Sequence, residues 1–175
     1  TLALGYPKLG YFDNYQREEV SSIVTVDIGF QRIMNHNINL IEKKDVIEIL
    51  KKYKVKSNNH KYSNSCGIIA GSDQYPGAAI LACNAAYKTG SSYIKLFSPS
   101  SKETKVMIDS QLHESVLVQN KKDLFGFTAG LLGPGLDVNE NFKISITDNL
   151  VLDAGSLNKT TLSSYEEGIF TPHFG

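Results

Sequence analysis

The segment from Cys66 to Phe97 restricts what this chain can fold into more than any other. It begins with a short apolar run, Cys66 to Ala70, followed by the turn-like Gly71 to Gly77 (GSDQYPG). An Ala-rich stretch from Ala78 to Thr89 comes next, then Gly90, then a β-rich run from Ser92 to Phe97. The first run is too short for a helix and fits a buried strand. Ala78, Ala79, Ala82, Ala85 and Ala86 favour a helix and let it lie close to a sheet. Gly90 is suited to the left-handed residue that ends a helix. Strand, glycine turn, helix, glycine and strand within about 30 residues make a βαβ unit, with parallel strands and a right-handed crossover.

The rest of the chain extends this theme. Ser115 to Val118, Leu150 to Asp153 and Ile169 to Pro172 read as strands, and Phe127 to Leu136 is a buried segment ending in Gly133-Pro134-Gly135. Lys143 to Asn149 reads as the end of a helix or the edge of a strand. Strands alternating with helices, each strand followed by Gly, Ser or Asp, predict an open, mainly parallel α/β sheet flanked by helices. Upstream, Thr1 to Leu4 and Ser22 to Ile28 read as strands, and Gly5 to Gly10 as a loop. Lys43 to Tyr53 carries Val46, Ile47, Ile49 and Leu50 among charges and predicts a short amphipathic helix with Asp45 near its start. Between these parts, Arg32 to Leu40 is Asn-rich and aperiodic. The domain boundary is placed there: residues 1–33 end one domain, 34–42 link, and 43–175 begin a second. Ser57 to Ser65 is polar and reads as a loop.

Several classes are disfavoured. Apolar and charged contents of 41% and 21% are those of a globular protein. A formal net charge of zero provides no global field for nucleic acid or a membrane surface. Lys51, Lys52, Lys54 and Lys56 read as a solvated helix end. Cys66 and Cys83 make neither a disulfide framework nor a zinc site, and are expected as reduced thiols in a cytoplasmic protein. His36, His60, His113 and His173 show no metal-ligand spacing. No run approaches the roughly 18 apolar residues needed to cross a bilayer, and no export signal is visible. The chain opens within a strand and stops in a turn, without an initiator Met, so a fragment is expected.

In open α/β sheets, ligands sit at the carboxyl ends of the strands. Four such ends carry suitable residues: Gly71 to Ala78, Gly133 to Gly135, Asp153 to Gly155, and Thr171 to His173. Parallel strands would bring them to one rim. Each has two readings. Gly77-Ala78 at a helix start is either a permissive turn or an anion-binding edge. Gly133-Pro134-Gly135 is either a tight turn or a close backbone approach to a ligand. Asp153 either caps the next turn or orients a ligand hydroxyl or water. His173 is either incidental or a hydrogen-bonding or acid/base group. The P-loop and the GxGxxG fingerprint are absent after the first of these strands.

Taken in order, His60-Lys61, Gly67 to Ser72, Gly77 to Ala82, Ala85-Ala86, Gly90, Gly133 to Leu136, Leu152 to Asn158 and Thr171 to His173 resemble the ADP/ATP-dependent NAD(P)H-hydrate dehydratase family. The family pattern runs HKGxxG, GGS, GAaxLaaxAAlrxGaG, GPGLG, vlDADaLn and TPHpGE. Thr1 to Gly10 and Val24 to Gly29 resemble the end of the NAD(P)H-hydrate epimerase domain often fused ahead of it. The resemblance implies a ribokinase-like fold, preceded by the last strands of a Rossmann-like epimerase domain. It implies nicotinamide nucleotide repair: dehydration of the S form of NAD(P)H hydrate with ADP or ATP and Mg2+, alongside epimerisation that uses K+ bound upstream. Ala78, Gly135 and His173 would line the hydrate side, Gly77 and Gly133 would support them, and Asp153 would share the rim. The implied partners are small nucleotides, with neither nucleic acid nor membrane, and homo-oligomerisation is left open.

The sequence departs from the pattern at Tyr62 and Ser63 (for Gly-Asp), at Gly155 (for the second Asp of DAD) and at Phe174 (for Pro). The family's Gly-Thr-Gly-Asp segment, which forms the phosphate anion hole and supplies the base, does not occur in the 175 residues. The chain alone is therefore expected to be inactive. Two alternatives stay open: a ribokinase-like kinase for a sugar, thiazole or pyrimidine alcohol, and a non-catalytic nucleotide-binding protein.

Overall fold

In the computed structural model, residues 1–12, 22–31, 40–52, 60–137, 149–158 and 167–172 are described. The chain divides into two compact units, Thr1–Lys54 and Val55–Gly175. The helix expected to open the second domain thus lies within the first unit.

In the first unit, β1 (Leu2–Leu4) pairs in parallel with β2 (Val24–Val26), Leu2 opposite Val24 and Leu4 opposite Val26. Both strands fall inside the expected runs and are shorter. A 3-10 turn over Leu9–Phe12 follows the Gly-Pro loop. Helix α1 (Lys43–Lys52) matches the amphipathic segment. The Asp45 carboxylate accepts from the Glu42 N–H at 2.8 Å, tying down a group that a helix start would otherwise leave open. Val46, Ile47, Ile49 and Leu50 are all exposed.

The second unit is built on a six-stranded sheet, every neighbouring pair of which is parallel. Its order is β5 (Ser115–Leu117), β4 (Tyr93–Phe97), β3 (Ser65–Ile69), β6 (Ala129–Leu132), β7 (Leu150–Asp153), β8 (Ile169–Thr171). The expected open α/β sheet is therefore present. Helix α2 (Pro76–Lys88) connects β3 to β4, and α3 (Lys102–Gln111) connects β4 to β5. α2 starts two residues before the Ala-rich stretch because Pro76 takes the first helical position, where its fixed φ fits and its missing N–H has no partner to lose. The helix closes as anticipated: Gly90 has φ +106°, and the Ser91 N–H reaches the Ala86 carbonyl at 3.0 Å.

Side chains alternate between the two faces of the sheet. Cys66, Ile68, Ala70, Ile94 and Leu96 face Ala79 and Cys83 of α2 and Ile108 of α3. Ile69, Leu132, Leu150 and Leu152 pack on the other face with Val118, Leu124, Phe127 and Leu136. β3 is buried along its whole length because both faces are covered, which explains its unbroken run of small and apolar residues. α3 has no counterpart in the expectations: it buries Ile108 alone, so its apolar periodicity is too thin to read. Of the segment Lys143 to Asn149, only Asn149 lies among the described residues. No described helix is long and apolar enough to cross a membrane.

Candidate functional site

All six strands run the same way, so their carboxyl ends share one edge. The order reverses at β3. From β3 the chain steps through α2 to β4 and on to β5, then returns to β6 on the opposite side of β3. The connections leaving β3 and β6 therefore start from adjacent strands and lead to opposite sides of the sheet order. This topological switch point is where open α/β sheets bind ligands.

The two loops are stitched together by backbone. The Gly71 N–H donates to the Pro134 carbonyl at 2.8 Å, and the Gly133 N–H donates to the Ile69 carbonyl at 3.1 Å. Gly135 has φ +68°, and a Cβ there would lie 2.6 Å from Ala78 Cβ and 3.0 Å from the Tyr75 carbonyl oxygen. The Gly133-Pro134-Gly135 turn thus lies directly on the first turn of α2. Gly77 is the opposite case: a Cβ there would meet nothing within 4 Å. Of the six candidates, Gly77, Ala78, Gly133 and Gly135 come together at the switch point.

Asp153 joins them through Gly133, whose φ is +126°, and whose missing Cβ leaves room for the Asp153 carbonyl. Asp153 does not cap the 3-10 turn Ala154–Ser156 with its side chain. Its Oδ1 accepts a hydrogen bond from Thr171 Oγ1 at 2.7 Å. Ser156 is buried, with Oγ 2.8 Å from both the Leu132 and the Asp153 carbonyl oxygens, fixing the end of β6 to the end of β7. His173 lies outside the described residues.

The family model described as NAD(P)H-hydrate dehydratase matches residues 66–175, from the second residue of β3 onward and through the switch-point loops. The chain belongs to the NAD(P)H-hydrate dehydratase family. A curated relative, the bifunctional NAD(P)H-hydrate repair enzyme Nnr of Dictyoglomus turgidum, is 26% identical over 210 residues. That match covers 99% of this chain and 40% of the relative, so the chain spans well under half of the relative's length. Two crystal structures of ADP/ATP-dependent NAD(P)H-hydrate dehydratase from Bacillus subtilis are also similar. One was co-crystallised with ATP/Mg2+ (28% identity, 67% of this chain, 46% of that chain, TM-score 0.49). The other was in addition soaked with CoA (25% identity, 77% of this chain, 50% of that chain, TM-score 0.48).

The rim of this dehydratase-family unit has a further sector that sequence reasoning missed. The loop after β4, Ser98 to Ser101, joins the loop after β3. Asp73 Oδ1 accepts from the Ser101 N–H at 2.9 Å and from Ser101 Oγ at 2.7 Å. Hydrogen bonds from Thr104 and Ser101 hold the Asp73 carboxyl below the usual carboxylate range. Ser98 and Ser100 are buried, their hydroxyl oxygens 2.9 Å apart. A signal was present: Ser101 is followed by Lys102-Glu103-Thr104, and a Ser at a strand exit is a common helix cap.

Two other groups are structural. Cys66 and Cys83 are free and buried between β3 and α2, and burial raises each thiol to about 11. At neutral pH such thiols stay protonated and behave as small core residues. No group of three or more His, Cys, Asp or Glu that could hold a metal occurs among the described residues.

Proposed function

We propose that the second unit binds NAD(P)H hydrate at the switch-point rim, as part of an enzyme that dehydrates it to NAD(P)H with ADP or ATP and Mg2+. Ala78 and Gly135 line the hydrate, Gly77 and Gly133 support them, and His173 and Asp153 complete the same side. The observation that carries this reading is the meeting of Gly77, Ala78, Gly133 and Gly135 where the strand order reverses, in a chain of this family. The open space beside Gly77 suits a nucleotide. A helix start presents N–H groups and the positive end of a dipole, and nothing bulky covers it here. Residues 1–33 are proposed to belong to the epimerase part of a bifunctional repair enzyme. The relative aligned along 99% of this chain bears that description, which supports the assignment.

Gly77→Leu tests the rim. The site is open and lacks a left-handed φ, so Leu fits the fold and improves helix propensity. Calorimetric titration with NADPH hydrate should show binding to the native chain and at least about a tenfold loss in the variant, since a filled pocket loses its backbone contacts. Unchanged affinity with an unchanged melting temperature would mean that the glycine serves only the turn.

A further inference from the structure

Thr171 faces Asp153 across the β7–β8 pair. We propose that it is a positioning residue, whose hydroxyl fixes the Asp153 carboxylate so that the second oxygen, Oδ2, accepts a hydrogen bond from a ligand hydroxyl. This rests on the reading of the rim as the hydrated-dinucleotide site.

The geometry is specific. Asp153 and Thr171 are register partners at the last rung of the β7–β8 pair, where both strands reach the carboxyl edge. In a parallel pair, register partners at a strand end place their side chains side by side. Thr171 Oγ1 lies 2.7 Å from Asp153 Oδ1 and 3.3 Å from the Leu152 carbonyl oxygen. A hydroxyl has one proton, and the shorter contact to the charged oxygen takes it. Among the described residues Thr171 is the sole donor to that carboxylate. The main chain of Asp153 is held as well, its carbonyl seated against Gly133 and bonded by Ser156. A carboxylate fixed through one oxygen and through its backbone presents the other oxygen in one place. Its chemistry is acceptor-only, which suits a ribose or ring-hydrate hydroxyl and repels a phosphate.

The discriminating pair is Thr171→Val against Thr171→Ser. Val keeps the β-branched shape and strand preference but has no hydroxyl, while Ser keeps the hydroxyl. Titrated with NADPH hydrate, Thr171→Ser should bind within about twofold of the native chain, and Thr171→Val about tenfold more weakly, the size expected for loss of a hydrogen bond to a charged group. Asp153→Asn closes a double-mutant cycle. If Thr171 acts through Asp153, adding Thr171→Val to Asp153→Asn should cost no further affinity. Native affinity in Thr171→Val, or full additivity in the cycle, overturns the assignment while leaving the rim reading in place. No binding by the native chain overturns both.

Discussion

The two units make opposite use of similar residues. In the second, Ile68, Leu96, Leu132 and Leu152 are wholly buried between a parallel sheet and its coverings. In the first, Leu2 is 67% exposed and Leu50 63%, and both strands of the parallel pair show apolar side chains to solvent. Parallel strands are ordinarily covered on both faces. The central strand β3 of the second unit is accordingly covered on both faces, whereas the strands of the first unit, like the edge strand β8 of the second, leave apolar side chains exposed among the described residues. Glycine shows the same contrast. Gly29 has φ +78° with open space around it, while Gly133 has φ +126° with the Asp153 carbonyl where a side chain would go. One glycine serves the local backbone alone, and the other joins two strands.

The largest effect that could break this contrast is at those glycines. Gly133→Val should cost about 4 kcal/mol or more, because strained φ and a clash with backbone add. Gly29→Ala should cost only about 1–2 kcal/mol, from φ alone. Chemical denaturation of both variants checks this, and equal losses would erase the distinction. Next come the apolar positions. Ile68→Ala should destabilise by about 2–5 kcal/mol, as buried large-to-small changes do, and Val24→Ala by under about 1 kcal/mol, the span of strand preference.

Smaller effects come from titration. Cys66 and Cys83 have native values near 11 against an ordinary 9.0, so the folded second unit retains protons that the unfolded chain gives up. Its stability should be full below pH 9 and decline as pH rises toward 11. Melting curves of Cys83→Ala should decline less steeply over that range. The smallest effect is at Asp73, which is fully exposed. Its depressed value means that its contribution is present above the ordinary carboxyl value of about 3.9 and is lost as pH falls through the lower native value. The melting-temperature difference between the native chain and Asp73→Asn should shrink in that acid range.

Much of this contrast was legible in the residues. The βαβ unit from Cys66 to Phe97 was readable because Ala-rich helix, glycine stop and short apolar run each have a local cause. β7 was readable to the residue, since LVLD follows the polar Asp148-Asn149 and is closed by Ala154-Gly155. The rim glycines were visible as candidates, but their choice between turn and binding edge depends on what lies opposite. Gly135 against Ala78, and Gly133 against Asp153, are contacts between distant segments that no local pattern encodes. The same holds for the order reversal at β3 and for Asp73 reaching Ser101, 28 residues away. α3 escaped because a helix lying on the surface with one buried side chain needs almost no apolar period.

The proposed binding place for NAD(P)H hydrate is the carboxyl edge of the sheet, at the β3–β6 switch point. Titrating the isotopically labelled chain with NADPH hydrate, while following backbone amides by NMR, tests it directly. The amides of Gly77, Ala78, Gly135 and Asp153 should shift together along one saturating curve. Those of Ser65, Tyr93 and Thr128, at the amino edge of the same sheet, should stay in place. Shifts confined to the amino edge, or none at the rim with ligand in excess, would contradict it.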